Sequence, residues 1–201
     1  MPSFLHEQEL ITLHGGHVAG VDEVGYGAWA GPVLVCAVVL EIDQISQELL
    51  NRLDDSKKLT KKHREEIYEL LTVSPGVTFE IAQSSAEEID RSNVLIATHQ
   101  AMKKAISQLK IPIKSVLVDG KNKPKLELPC HALIEGDSKS YSIAAASIIA
   151  KVTRDKLMGE LHQQFSCYGW DTNVGYGTKV HRTGLLHYGV TPFHRLSYKI
   201  H

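Results

Sequence analysis

Four carboxylates stand where a purely structural chain has little use for them. Asp22 and Glu23 interrupt the apolar stretch "HVAGVDEV", Asp119 closes the run "VLVD", and Asp137 lies in "EGDS" ahead of the small-residue stretch "SIAAASIIAKV". Taken singly, Asp119 before Gly120 is an ordinary turn residue, and Asp137 before Ser138 is an ordinary helix entry. Asp22 is different, because a carboxylate inside an apolar strand is costly unless it is paired or bound to metal. If the strands that carry Asp22 and Asp119 are neighbours, both acids reach one edge of the core, and Asp137 approaches from the start of the next helix. Such a cluster repels itself and needs a cation. Hard oxygen donors without cysteine select Mg²⁺ or Mn²⁺. Pockets of this type carry out phosphoryl chemistry, in which two ions about 3.5–4 Å apart activate water and stabilise the leaving oxygen. One difficulty is geometric: adjacent residues on a strand point to opposite faces. Asp22 and Glu23 share a metal only if the strand twists or ends there, or if Glu23 uses its carbonyl or reaches round a break at Gly25.

The elements that must position these acids are legible from pattern. Residues 17–24 read as a strand, and 32–41 as the next, continuously apolar and so buried on both faces. The short gap "GYGAWAG" predicts an antiparallel hairpin with an elaborate turn. Thr60 caps a predicted helix over 61–72 with Ile67, Leu70 and Leu71 inward, and 76–83 is a strand. Ser85 and Glu88 have capping-box spacing. The stretch from there to about Leu109 reads as helical, with Ile89, Ile96, Ala97, Ala101 and Ala105 near one face. Residues 115–120 form a strand that ends in a carboxylate. Residues 142–152 form a helix of small residues able to lie close against a sheet, continuing to about Phe165. Strands first, then alternating helices and strands, give an α/β layer protein with a mixed sheet. The tail 168–201, rich in Gly, His and Tyr, is expected to wrap the surface as loops and short helices.

Composition sets the outer bounds. The 201 residues, 43% hydrophobic and 22% charged, suit one substantial core. Cys36, Cys130 and Cys167 offer no disulfide framework and no zinc spacing, which fits a reducing compartment. The start, "MPSFLHEQEL", has no apolar core like that of a signal peptide, and the run "AGPVLVCAVVL" is too short to span a bilayer. A soluble cytoplasmic protein is expected. The net charge of −1 hides a segregation: no acidic residue follows Asp171, whereas Lys179, Arg182, Arg195 and Lys199 do, and a second basic run, "KKLTKKHR", covers 57–64. A neutral average can conceal a basic face opposed to an acidic pocket. His181, His187 and His194 fit no compact zinc ligand set and are read as surface or core residues.

Taken in order, "GVDEVGYGAWAGPV", "DSKKLT", "EEIDRSNVLIATHQAM", "VLVDG", "GDSKSYSIAAASIIAKVTRD", "YGWDTNVGYGTKVHR" and "TPFHRLSY" resemble bacterial ribonuclease HII from about residue 17 to 198. The resemblance implies a ribonuclease-H-like mixed sheet flanked by helices, with a catalytic domain over 1–165 and a small C-terminal substrate-binding extension over 166–201. It implies metal-dependent cleavage of the RNA strand of RNA–DNA hybrids and incision at ribonucleotides embedded in duplex DNA, leaving 3′-hydroxyl and 5′-phosphate ends. Asp22, Glu23, Asp119 and Asp137 match the family's metal-site acids, which take Mg²⁺ or Mn²⁺. Gly25 and Gly27 match glycines whose backbone contacts the ribose 2′-hydroxyl, and Tyr176 a tyrosine that packs against the sugar on the 3′ side. Lys57, Lys58, Lys151 and Arg154 match basic positions expected near phosphates. Tyr26 departs from the pattern, since the residue between these glycines is usually arginine. It either packs on a substrate sugar or covers Trp29.

Two further expectations follow from the resemblance. The motif begins at residue 20, so no extra N-terminal domain of the ribonuclease HIII kind is expected. After "HRLSY" no aromatic pair stands ready to dock on a sliding clamp. Nothing in the sequence demands more than a monomer. Two other classes compete with the nuclease: a non-catalytic nucleic-acid-binding module on the same fold, and a nucleotide-binding phosphotransferase. The presence of all four acids argues against the first. The lack of Lys or Thr after "GYGAWAG" argues against the second.

Overall fold

The computed structural model of the chain describes residues 2–53 and 59–199. Its elements are α1 (Leu5–His14), β1 (His17–Val24), β2 (Val33–Leu40), α2 (Gln47–Arg52), α3 (Lys61–Val73), β3 (Val77–Ser84), α4 (Ala86–Arg91), α5 (Val94–Gln108), β4 (Ile113–Asp119), β5 (Cys130–Leu133), α6 (Tyr141–Gln164), α7 (Trp170–Asn173) and α8 (Lys179–Tyr188). One five-stranded sheet has the order β3-β2-β1-β4-β5. β2 pairs antiparallel with β1 and β3, whereas β4 pairs parallel with β1 and β5. The sheet is therefore mixed, the protein is α/β, and the β1–β2 hairpin is antiparallel.

Each face of the sheet has its own core. Leu34, Cys36 and Val38 of β2 pack with Ile67 and Leu71 of α3 and the small residues of α6. Ala19, Val21, Val35, Ala37, Val116 and Val118 pack on the other side against Ala101, Met102 and Ala105 of α5. β2 is buried along its whole length, as a continuously apolar strand between two helical layers must be. Gly20 makes the α6 side possible. A Cβ there would overlap the backbone of Ser142, so the helix rests directly on β1.

Local signals are obeyed. The Thr60 hydroxyl accepts the His63 N–H at 3.3 Å to start α3. Ser85 and Glu88 form a reciprocal capping box at 3.1 and 2.7 Å. Other expectations need correction. The single helix expected from Ser85 to Leu109 is two, because the Asn93 side chain accepts the Ile96 N–H at 2.9 Å and starts α5 afresh. The break resets the helical phase, so Ile96 is exposed while Ala97, Ala101 and Ala105 are buried. Leu70, expected inward, falls on the exposed rim of α3, about 100° round from Leu71. α1, α2 and β5 were not anticipated from pattern. Among the described residues no helix is long and apolar enough to cross a membrane.

Beyond α6 the chain turns back over the β1–β2 loop. Tyr168, Trp170 and Met158 form a buried cluster with Ala30, packed by Phe165 and Phe193. The backbone joins in: the N–H groups of Trp29 and Ala30 donate to Gly175, that of Gly31 donates to Phe193, and that of Arg195 donates to Trp29.

The close approach at Gly20 generates a stability test. Gly20→Ala forces α6 off β1 and is expected to destabilise by about 1–3 kcal/mol, a fall in Tm of roughly 3–10 °C for a chain of this size. Thermal melts of the two proteins check it. An unchanged Tm would show that the helix does not sit at backbone distance.

Candidate active site

The sheet brings three of the four acids to one cleft. β1 and β4 run side by side with Val21 opposite Val118, and each then ends in carboxylates, Asp22 and Glu23 on β1 and Asp119 on β4. Asp22, Glu23 and Asp119 line a cavity of about 330 Å³ together with Tyr26, Arg64, Ser147, Lys151 and Tyr176. The strand alternation that made Asp22 and Glu23 awkward partners is obeyed. Asp22 shares the α6 side with Cys36, its cross-strand neighbour, and the Ser147 hydroxyl of α6 hydrogen-bonds to its carboxylate. Glu23 reaches the opposite side, where it and Asp119 also border a second cavity of about 260 Å³ beside Leu95, Thr98 and His99 of α5. Because β1 ends one residue later, the two side chains straddle the strand's end and serve one cleft. The Glu23 N–H donates to Asp22 Oδ1 at 2.8 Å and ties them together.

Asp137 stands differently. It is buried in a single 3₁₀ turn, Gly136–Ser138, that follows β5. The neighbouring Gly136 N–H donates to Asp119 Oδ1 at 2.7 Å, so the turn is docked on the same acid. Asp137 is not one of the residues that line the cleft.

The electrostatics fit an acidic half-site. Burial, then the charges of Glu23 and Asp119, push the Asp22 carboxyl well above its ordinary value, against the opposing bond from Ser147. Burial, then the charge of Asp22, also raises the Cys36 thiol. A divalent cation bound among these oxygens would relieve the mutual repulsion. Among the described residues no three His, Cys, Asp or Glu side chains converge closely enough to enclose an ion unaided. An open set of carboxylates suits an ion that completes its shell with water and substrate oxygens, as Mg²⁺ prefers to do.

The basic positions divide. Lys151 lies on the cleft, its ammonium held at 2.9 Å by Asp155 one turn along α6. Lys57 and Lys58 lie outside the described residues. Arg154 corrects the sequence reading: it is 0% exposed, and a guanidinium without exposed surface does not meet a duplex backbone. Its Nε donates to the carbonyl of Pro32 at 3.0 Å, its Nη2 to Ala30 at 3.1 Å and its Nη1 to Val174 at 2.8 Å. Burial lowers its pKa to about 10, so it remains a cation at neutral pH. Arg195, counted from sequence with the basic tail, is equally buried. It donates to the carbonyls of Gly31 and Tyr26 and to the Tyr198 hydroxyl. The cation that sequence reasoning missed on the cleft is Arg64, hidden in the run "KKHR" of α3.

The two glycines also divide. Gly25 is buried at φ +86°, and a Cβ there would overlap Arg154. Gly27 is exposed, and a Cβ there would meet only Tyr176 Cε1, at 3.9 Å. Tyr26, 40% exposed, lines the cleft, and it is His181 whose ring meets Trp29. Tyr176 is 39% exposed on the same cleft. His181 and His194 are buried and His187 is exposed, as surface or core roles require.

Comparison with known proteins agrees with this geometry. The family model for ribonuclease HII matches residues 19–201. Ribonuclease HII of Rhodospirillum rubrum is 48% identical over 184 residues, covering 92% of this chain and 84% of the relative. That of Ruegeria pomeroyi is 49% identical over 199 residues, covering 98% and 82%. Among solved structures, ribonuclease H2 from Pyrococcus horikoshii OT3 superposes with a TM-score of 0.77 at 26% identity, over 92% of this chain and 95% of that one. With the family's sequence running through all but its first residues and the family's fold behind its acids, the chain belongs to the ribonuclease HII family and is an endoribonuclease of the ribonuclease H type.

Proposed function

We propose that the cleft hydrolyses the RNA strand of RNA–DNA hybrids and incises duplex DNA at embedded ribonucleotides, leaving 3′-hydroxyl and 5′-phosphate ends. The observation that carries this reading is the meeting of Asp22, Glu23 and Asp119 at the ends of two adjacent parallel strands, with Asp22 held against its own charge. Asp22, Glu23 and Asp119 on the cleft, with Asp137 in the turn docked on Asp119, are the residues that would hold Mg²⁺ or Mn²⁺. Bound there, the ions supply an activated water and charge stabilisation at the leaving oxygen.

The chain's own groups position the substrate. Gly27 is exposed beside Tyr176, with no other atom near the place of a Cβ, so a ribose 2′-hydroxyl, the group that distinguishes RNA from DNA, can approach its backbone closely. Packing within the protein does not demand a glycine there, which favours a requirement set by substrate. Tyr176 stands beside Gly27 and offers a ring face to the next sugar. Arg64 and Lys151 on the cleft, and Lys179 and Arg182 on α8, are the cations we assign to phosphates, which fix register without reading sequence. The segment 166–199 is on this reading a substrate-binding extension whose aromatic core anchors it to the β1–β2 loop.

Asp22→Asn or Asp119→Asn is expected to keep the fold and lower cleavage more than about 10³-fold, the scale of charge stabilisation at a metal site. Asp22 also makes a pH prediction for the metal-free protein. Its folded pKa is raised, so the stability its neutral form confers is full below the ordinary value of 3.8 and is lost as pH rises through the folded value. Melts in a chelator should therefore show Asp22→Asn raising Tm at neutral pH and flattening the pH dependence. Near-normal turnover of either variant at saturating Mg²⁺ or Mn²⁺ would remove the metal-site assignment.

Hybrid binding in Ca²⁺ is expected to weaken steeply with salt despite the net charge of −1. Lys179→Ala should reduce the slope of log affinity against log salt by roughly 0.7–0.9, the share of one phosphate. An unaltered slope would place Lys179 away from the duplex.

Tyr26 supplies one hydroxyl and a stacking face where the family usually has a guanidinium. Cleavage at a single embedded ribonucleotide should suffer most from this, because one nucleotide must then supply every RNA-specific contact. Tyr26→Arg is expected to improve single-ribonucleotide incision relative to hybrid cleavage by on the order of 1–2 kcal/mol, roughly 5–30-fold, if one charged hydrogen bond is restored. A ratio that stays level or falls would make Tyr26 a working substitute.

A further inference from the structure

The extension holds a histidine pair that the cleavage chemistry does not use. His181 and His194 are both buried, with their Nε2 atoms 3.0 Å apart. The bonds around them fix both tautomers. The Thr191 backbone N–H donates to His194 Nδ1 at 2.8 Å, so in a neutral ring the His194 proton sits on Nε2. That proton faces His181 Nε2, which also accepts the Trp170 indole N–H at 3.2 Å. His181 Nε2 therefore carries no proton. The His181 proton is on Nδ1, 3.0 Å from the Tyr176 carbonyl. Each bond in the chain Thr191, His194, His181, Tyr176 then has one donor and one acceptor, and a proton added to either ring would set two donors face to face.

The surroundings keep the rings neutral. Tyr168 and Trp170 pack on both of them, and Trp29 lies against His181. The charged groups nearby are cations, Arg182 over the Trp29 ring and Arg195 next in the chain to His194. Burial lowers both histidines, His194 to about 4 with His181 as the second cause. The relay ends on the backbone of Tyr176, whose N–H donates to Asn173 at 2.9 Å and whose carbonyl also accepts the Thr178 N–H at 2.8 Å. The placement of that backbone decides where the ring stands over Gly27.

We propose that His181 and His194 are positioning residues for the ribonuclease reaction, setting Tyr176 on the cleft through an ordered relay that ends in the bond from His181 Nδ1 to the Tyr176 carbonyl. The proposal rests on the reading of Tyr176 as the tyrosine that packs on a substrate sugar. His181→Phe keeps the ring's bulk and removes the bond. It is expected to raise KM for an RNA–DNA hybrid about five- to tenfold, the worth of roughly one hydrogen bond, with kcat changed less than about twofold. His181→Asn, whose amide N–H occupies the place of Nδ1–H, should recover most of that loss. In Tyr176→Ala, adding His181→Phe should raise KM no further. ¹⁵N NMR of the wild-type protein should show His181 protonated on Nδ1 and His194 on Nε2, whatever the activity. Where His181→Phe does not fold, His194→Asn serves instead. It keeps an acceptor for Thr191, removes one of the two donors that hold His181 Nε2 (the Trp170 indole N–H is the other), and should raise KM. The reverse tautomers, a wild-type KM in the folded variants, equal damage by His181→Asn and His181→Phe, or additive losses with Tyr176→Ala would each overturn the relay. A wild-type KM in Tyr176→Ala itself would instead overturn the sugar contact, and the relay's consequence with it.

Discussion

The cleft is measured from one backbone contact, that of α6 on β1 at Gly20. Ser147, Lys151 and Arg154 follow one another at i, i+4 and i+7 and so share a face of that helix. Ser147 reaches Asp22, Lys151 reaches the cleft, and Arg154 reaches under the β1–β2 loop. These three placements depend on how deep the helix lies. The alanines 144–146 that follow Ser142 keep it deep, for all are fully buried against β2 and α3. A side chain at position 20 would lift the helix and move an acid's hydrogen-bond donor, a rim cation and a loop clamp together.

Charge is handled in two opposite ways within one short distance. At the strand ends, carboxylates are gathered and left in conflict, so that Asp22 sits far from its ordinary titration. Beneath the loop, two guanidiniums are buried with no carboxylate of the described residues among their hydrogen bonds, satisfied instead by the carbonyls of Tyr26, Ala30, Gly31, Pro32 and Val174. Those carbonyls belong to irregular chain that has no ladder of its own, and an unpaired buried carbonyl is costly. The fan of donors on one arginine satisfies several at fixed spacing, which a lysine does not do. The first arrangement stores a demand for cations, and the second makes a rigid edge for the cleft.

Much of this was legible from the sequence because it is written in local pattern. The continuous apolar run of β2, the interrupted apolar run of β1, the caps at Thr60 and Ser85 and the small residues of α6 each report their own environment. Asp22 stood out for the same reason, since a carboxylate in an apolar strand contradicts its neighbours, whereas Asp119 and Asp137 taken singly read as turn and helix-entry residues. What failed depends on distant chain. Arg154 and Arg195 look like surface cations until the loop that buries them is in place. β5 is four residues of half-exposed edge strand, too short and too polar to show alternation. α1 has Leu5, Ile11 and Leu13 turned outward, and its inward anchors are Leu10 and Glu7, whose Oε1 accepts hydrogen bonds from Ser140 and Ser142 more than 130 residues away. The order of the histidine pair depends on Trp170 and Thr191 and leaves no mark in spacing.

The motif "GYG" shows how far a fold's own needs extend. Gly25 is imposed from within, by a left-handed backbone and by the guanidinium of Arg154 against it. Gly27 is not imposed by packing, since space beside it is open as far as Tyr176. Between them, the carbonyl of Tyr26 is held from two sides, by Arg195 at 2.8 Å and the Tyr198 hydroxyl at 2.6 Å. The backbone at this position is therefore held through its carbonyl, by bonds that do not involve the Tyr26 hydroxyl. A substitution there changes what the cleft presents to a substrate without changing the shape of the loop that presents it. A change of side chain at position 26 is then a change of contact chemistry, made while the carbonyl of the same residue stays held by Arg195 and Tyr198.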